Sequence, residues 1–208
     1  MRNTTICTLI AMLFFCHSHA QGLLGMKAGL NYTGIERIGS LPDQLSFDEI
    51  YQFGYHFGVV GNLVLNEKWA IRPELLYSLK GFAPNPNDGD RINLHYLALP
   101  VLASFSLFDN FCLEAGLETS YLLHAKAIAV EESYDVDWIF DKKWDFGISG
   151  GARFYFLNHF HLGARYTHGL TDILPVTLTD INGEPTLELK SKNRTFQVSI
   201  GYERSLKK

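Results

Sequence analysis

The sequence predicts an all-β fold, a transmembrane antiparallel up-and-down β-barrel of about eight strands, and three observations predict it. Apolar residues recur with a period of two, not 3.6, over eight successive segments. Sorted by parity, one face of these segments is almost free of charge and the other collects most of it. The connections alternate between tight turns and long polar loops, short on one rim and long on the other, as membrane barrels require.

The chain of 208 residues opens on a secretory signal. Arg2 supplies the positive start, residues 6–16 the apolar stretch, and Ser18-His19-Ala20 a small-x-small cleavage site. Cleavage after Ala20 leaves two parts, a signal peptide at 1–20 and a barrel domain at 21–208. The apolar stretch is too short to span a bilayer as a helix. Lipid attachment at Cys16 is disfavoured, because bulky Phe15 precedes it where a lipobox takes a small residue. Cys7 and Cys16 leave with the signal, so Cys112 stands alone and no intrachain disulfide is expected. The formal net charge of −4 and the scattered basic residues argue against nucleic-acid binding. The best later apolar run, 97–105, is interrupted by Pro100 and far too short for a transmembrane helix.

The predicted strands cover 24–33, 52–65, 69–82, 92–107, 111–126, 142–156, 160–171 and 192–204. Asn66-Glu67-Lys68, Phe108-Asp109-Asn110 and Leu157-Asn158-His159 are tight turns, carrying the Asn and Asp that such turns favour. Between them lie longer polar connections at 34–51, 83–91, 127–141 and 172–191. Three short turns and both termini on one rim place four longer loops at the cell surface.

One face carries Met26, Leu30, Tyr32, Phe53, Phe57, Trp69, Leu75, Leu117, Tyr121, Trp144, Phe146, Phe160, Phe196 and Tyr202, with no Asp, Glu, Lys or Arg outside the fourth strand. The opposite face holds Lys27, Arg72, Glu74, Lys80, Glu114, Glu118, Lys126, Asp145, Arg153, Arg165 and Glu203, interleaved with Gly, Ser and Asn. In the fourth strand Pro100 and the run 97–103 blur the parity and suggest a bulge. A soluble lipocalin-like barrel would point the apolar face inward. The opposite arrangement is favoured on three grounds. The polar face is nearly charge-balanced and rich in small residues, as a crowded lumen needs, whereas a wetted surface is dominated by Lys and Glu. Aromatics sit at both ends of the apolar rows, and eight to ten tilted residues cover roughly 20–25 Å, close to the apolar band of a membrane barrel. An eight-stranded interior is only just filled by side chains, so large aromatics fit better outside.

Several stretches together resemble a known family. They are Gly25-Met26-Lys27-Ala28-Gly29-Leu30-Asn31-Tyr32, Arg72-Pro73-Glu74-Leu75-Leu76-Tyr77-Ser78-Leu79-Lys80-Gly81 and Leu94-His95-Tyr96-Leu97-Ala98-Leu99-Pro100-Val101-Leu102-Ala103. Asp145-Phe146-Gly147, Ala164-Arg165-Tyr166-Thr167-His168-Gly169-Leu170-Thr171 and Asn193-Arg194-Thr195-Phe196-Gln197-Val198-Ser199-Ile200-Gly201-Tyr202 complete the set. The chain resembles the PorT-like (porin family) outer-membrane β-barrel domain of Gram-negative bacteria over essentially the whole barrel region. The resemblance implies an outer-membrane location and a porin-like barrel, and it brings no catalytic motif. Such barrels often end on an aromatic residue read by the assembly machinery, whereas this chain runs past Tyr202 to Lys208.

Within the lumen, Arg72, Glu74, Lys80, Glu114, Glu118, Arg153, Arg165 and Glu203 form the most distinctive polar set. A selectivity ring or proton path is one reading, and a salt-bridged plug that satisfies buried charges is the favoured one. His95, His124 and His168 fall toward the extracellular rim, where a lipid-modifying enzyme would place a histidine, but no His–Ser–acid motif fixes them. The acidic loop with Glu131, Glu132, Asp135, Asp137 and Asp141 does not have the spacing of a calcium loop and is read as a solvated surface. Among loop aromatics, Phe47, Tyr51, Tyr134, Trp138 and Phe140 are the candidate surface contacts. The expected protein is a non-enzymatic outer-membrane barrel with a structural or surface-binding role, without cofactor or metal. Its expected partners are outer-membrane lipid, lipopolysaccharide and, during biogenesis, the barrel-assembly machinery. A role as accessory to transport or surface-protein export is the alternative that the resemblance suggests.

Overall fold

The computed structural model describes residues 22–38, 51–83, 89–129, 132–140, 142–157, 159–173, 176–179 and 185–205. The expected signal peptide and Phe47 lie outside the described residues. The strands are β1 (Gly22–Ile38), β2 (Gln52–Val64), β3 (Trp69–Phe82), β4 (Arg91–Phe108), β5 (Phe111–Ile128), β6 (Ser133–Asp135), β7 (Trp144–Tyr155), β8 (Phe160–Gly169), β9 (Val176–Thr179) and β10 (Pro185–Ser205). Eight of them form the wall in the order β1-β2-β3-β4-β5-β7-β8-β10. The ring closes where β1 pairs with β10, from Leu23 opposite Ser205 to Ile38 opposite Lys190. All pairings are antiparallel, and closure leaves no unpaired strand edge inside the bilayer.

The two extra strands belong to the loops. β6 extends the wall above the end of β5, and β9 pairs with the first residues of β10. β10 therefore begins at Pro185, well before the expected start at residue 192. On the opposite rim the turns are short. The Asn66 side-chain oxygen accepts the N–H groups of Lys68 and Trp69, both at 3.0 Å, which closes the β2–β3 turn locally.

Burial follows the period-two pattern around the ring. Outward positions such as Met26, Phe57, Leu75, Leu117, Ile148, Leu162 and Val198 are exposed to the surroundings, and Leu117 is 63% exposed. Aromatic contacts bound this band. Trp69 packs on Phe105, and Phe160 on Tyr202, at the tight-turn rim. Tyr32 with Phe53, Tyr55 with Tyr77 and Tyr121 with Trp144 do the same toward the loops. Phe111 to Tyr121 on β5 spans roughly 25 Å of membrane height at ~3.3 Å per residue and about 40° of tilt. Among the described residues no helix is long and apolar enough to cross a membrane, and here the strands do the crossing.

Two expectations are corrected by the register. Pro100 introduces no bulge. It pairs in register with Glu118, and β4 alternates cleanly, with Leu94, Tyr96, Ala98, Leu102 and Ser104 inward. A bulge lies farther along the pair, at Leu123 in β5, where His95 faces His124 but Tyr96 faces Leu122. That extra residue reverses the parity of the end of β5. Ala125 is consequently buried and Lys126 is exposed, not luminal as expected. With Lys126 outside, the described residues place five buried cations in the lumen (Lys27, Arg72, Lys80, Arg153, Arg165) against five buried carboxylates (Glu74, Glu114, Glu118, Asp145, Glu203).

Near the top of β3 the chain needs a glycine. Gly81 has a φ of +147°, and a Cβ there would lie 1.9 Å from the Ile92 carbonyl oxygen. Gly81→Ala is expected to destabilise the barrel by more than about 1 kcal/mol, read as a lower denaturant midpoint in detergent micelles. An unchanged midpoint would contradict this placement.

Candidate functional site

The interior is built in four layers from the tight-turn rim to the loops. The first is an open vestibule of about 590 Å³, lined by residues that include Asn62, Lys68, Ser104, Cys112, Arg153 and Tyr155. By the rule that short turns face the periplasm, this vestibule opens on that side.

Above it lies a charged layer. Glu74 accepts hydrogen bonds from Lys27 Nζ at 2.7 Å and Arg72 Nε at 3.0 Å, and from both terminal nitrogens of Arg165 at 2.8 Å. Arg72 reaches Glu203 at 2.6 Å, and Arg153 reaches Glu114 at 3.1 Å and Glu203 at 3.6 Å. The His161 ring lies between Arg72 and Glu203, 3.4 Å and 3.3 Å away. Gly201 faces that ring without a side chain, since a Cβ there would come within 2.4 Å of it. The space left among these groups is about 10 Å³, about what one water molecule needs.

The third layer is polar and mostly uncharged. His56 and Gln197 share the Asn31 side-chain oxygen, at 2.7 Å and 3.0 Å, while the Asn31 amide donates to Ser78 at 3.0 Å. Lys80 and Glu118 form a separate ion pair at 2.7 Å, and Asn193 donates to Asp145 at 2.7 Å. Val60, Leu76, Ala98 and Leu102 add apolar side chains to the inner face of β2–β4, among the charged and polar groups of β3.

The fourth layer seals the mouth below the loops. Val136 and Phe140 from the β5–β7 connection and Ile173 from the segment after β8 pack on inward-facing Ile35, Phe82, Leu94, Tyr96, Leu122 and Ala125. Burying these side chains contributes about 1.5–3 kcal/mol each for the larger ones. The loop that supplies two of them is tied down. The Val136 N–H donates to the Ala125 carbonyl at 3.0 Å, and the Ala125 N–H donates to Asp137 Oδ1 at 2.6 Å. His124 Nδ1 lies 2.9 Å from Asp137 Oδ2. A carboxylate only accepts, so Nδ1 carries the proton. Partial burial opposes ionisation of Asp137, but the hydrogen bonds from His124 and Ala125 and the nearby Lys143 prevail and hold its carboxyl below the usual aspartate value.

The eight expected luminal residues are all buried inside the barrel. Arg72, Glu74, Glu114, Arg153, Arg165 and Glu203 share the charged layer, and Lys80 and Glu118 sit above it. Lys27 and Asp145 join them, as their parity indicates. The expected loop aromatics divide. Trp138 is 78% and Tyr134 54% exposed, whereas Phe140 is 1% exposed and belongs to the apolar seal, not to the surface. Its neighbour Val136 is drawn inward by the same packing, so the chain alternates inside and outside along this short stretch. Tyr51 stacks on Tyr32 at 5.0 Å against the outer wall. At the rim His95 and His124 come together, with ring centres 6.0 Å apart, and His95 Nδ1 meets the Tyr77 hydroxyl. His168 stands apart on β8, opposite Ile148 and Arg194.

The profile of the outer membrane protein β-barrel domain matches residues 19–174. The chain belongs to that family. The fold agrees with solved members of this architecture. Ail, the attachment invasion locus protein of Yersinia pestis, crystallised with the heparin analogue sucrose octasulfate, superimposes with a TM-score of 0.52 at 15% identity, over 88% of this chain and 99% of its own. Neisserial surface protein A gives a TM-score of 0.54 at 11% identity, over 86% and 96%. At such identities the likeness is one of fold. No curated protein matches the sequence. The chain is thus an outer-membrane β-barrel with a buried salt-bridge network in its lumen.

Proposed function

We propose that this protein is a closed outer-membrane barrel that acts at the cell surface through its loops, and not a diffusion pore. The observation that carries this reading is the stacked interior: a charged layer with room for about one water, beneath an apolar seal. In this reading the chain is exported by its signal peptide, inserted by the barrel-assembly machinery, and bounded by outer-membrane lipid and lipopolysaccharide. The resemblance to PorT-like barrels fits the same setting. A binding role is proposed in preference to catalysis, because the two rim imidazoles are engaged with Tyr77 and Asp137 in contacts that brace the wall.

Trp138 and Tyr134 stand exposed on the β5–β7 connection, where aromatic rings suit contact with the sugar and lipid face of lipopolysaccharide. The double substitution Trp138→Ala with Tyr134→Ala is expected to leave the barrel folded and inserted, because neither ring belongs to the seal. Lipopolysaccharide retained by the detergent-purified barrel should fall. Retention equal to the unsubstituted protein would overturn this assignment of the surface.

A further inference from the structure

We propose that His124, Asp135 and Asp137 form a binding site for one divalent transition ion, with Zn²⁺ as its probe, that staples the luminal seal to the barrel wall. One ligand atom from each residue lies within 4.8 Å of the other two. His124 Nδ1 is 2.9 Å from Asp137 Oδ2 and 3.9 Å from Asp135 Oδ2. Ligands bonded to zinc at 2.0–2.1 Å in a tetrahedron are about 3.3 Å apart, so these separations bracket the geometry an ion needs. Closing it takes small side-chain rotations and loss of the Nδ1 proton, the neutral imidazole then keeping its proton on Nε2.

The two carboxylates are also oriented for the task. Asp137 commits Oδ1 to the Ala125 N–H at 2.6 Å, and Asp135 commits Oδ1 to the Asp137 N–H at 3.0 Å. In each case Oδ2 is the atom turned toward the imidazole, and a backbone donor holds the carboxylate as an outer-shell partner would. Lys143 Nζ approaches Asp137 from the Oδ1 side at 3.8 Å, away from the proposed position of the ion. One imidazole nitrogen with two carboxylate oxygens suits Zn²⁺ better than Ca²⁺ or Mg²⁺, which prefer sets made of oxygen alone. The imidazole and the Asp137 side chain are about a third exposed and Asp135 more so, leaving coordination positions open to water. No linear spacing announces this set, because the histidine comes from β5 and the aspartates from the connection that folds back on it.

The placement gives the ion a consequence. Val136, between the two aspartates, is buried in the seal, and Asp135 pairs across the ladder with Lys126. An ion joining His124 to both aspartates cross-links the wall to the segment that closes the lumen. Binding that favours the closed arrangement stabilises it by linkage.

The test uses the whole barrel without a histidine tag, stripped with chelator and exchanged into chelator-free detergent buffer. Calorimetric titration with ZnCl₂ is expected to show one strong site per chain, weakened at least about tenfold by His124→Gln or Asp137→Asn. Asp135→Asn, at an exposed side chain, provides a variant whose folding is not at issue, and it should weaken binding in the same direction. Zn²⁺ should also slow protease cleavage between residues 129 and 143 in the unsubstituted protein only. Absence of Zn²⁺ binding by the unsubstituted barrel, or binding unaffected by all three substitutions, overturns the site. Ca²⁺ competing on equal terms with Zn²⁺ overturns the assignment to a transition ion.

Discussion

Replacing Glu74 with glutamine is expected to lower the unfolding free energy of the barrel by about 3–5 kcal/mol. The carboxylate is buried, and it is the acceptor for Lys27, Arg72 and both terminal nitrogens of Arg165. Glutamine preserves the shape but turns an NH₂ toward cations where an oxygen stood. Three buried cations then share fewer acceptors, and among the described residues the lumen holds five cations against four carboxylates. The cost is that of a stranded buried charge, not of a single hydrogen bond, which alone is worth about 0.5–1.5 kcal/mol. Guanidinium unfolding from phospholipid vesicles, followed by tryptophan fluorescence, measures it. A loss below about 1 kcal/mol would mean that water reaches the layer and solvates the orphaned groups.

A single charge on the outer wall is expected to cost nearly as much, for a different reason. Leu117 lies midway between Phe111 and Tyr121 on β5, between Val101 and Ile148 on the neighbouring strands. Leu117→Arg places a guanidinium at the middle of the apolar band, at a cost of about 2–4 kcal/mol. Leu107→Arg, beside the β4–β5 turn, should cost only about 0–1 kcal/mol, because the interface admits charge. The contrast between the two positions is the informative result. Equal costs at both depths would contradict the placement of the band.

Much of this architecture could be read from the residues in order. The period-two alternation located eight wall strands, and Asn and Asp marked the tight turns, because both signals are local. Glu74, Arg165 and the other luminal charges were legible by parity, since a strand exposes alternate residues to opposite faces. Parity fails where the register shifts. The extra residue in β5 near Leu123 sends Lys126 outward and Ala125 inward, and nothing in the sequence of β5 alone requires it. The run around Pro100 was opaque for another reason: the inward residues Leu94, Ala98 and Leu102 are themselves apolar, so both faces of β4 are apolar. The seal was hidden because Val136, Phe140 and Ile173 come from connections whose path depends on the mouth they fill. The start of β10 did leave a signal, Asn182-Gly183 between two alternating segments, which is strong hairpin chemistry.

The central claim is that side chains close the lumen above its open vestibule, first at the charged layer and again at the apolar seal. Single-channel recording of the purified barrel in planar bilayers tests it most directly. The structure predicts a silent bilayer, without stable unitary steps at either polarity. Stable openings of constant, ion-sized conductance from the unsubstituted protein would contradict it.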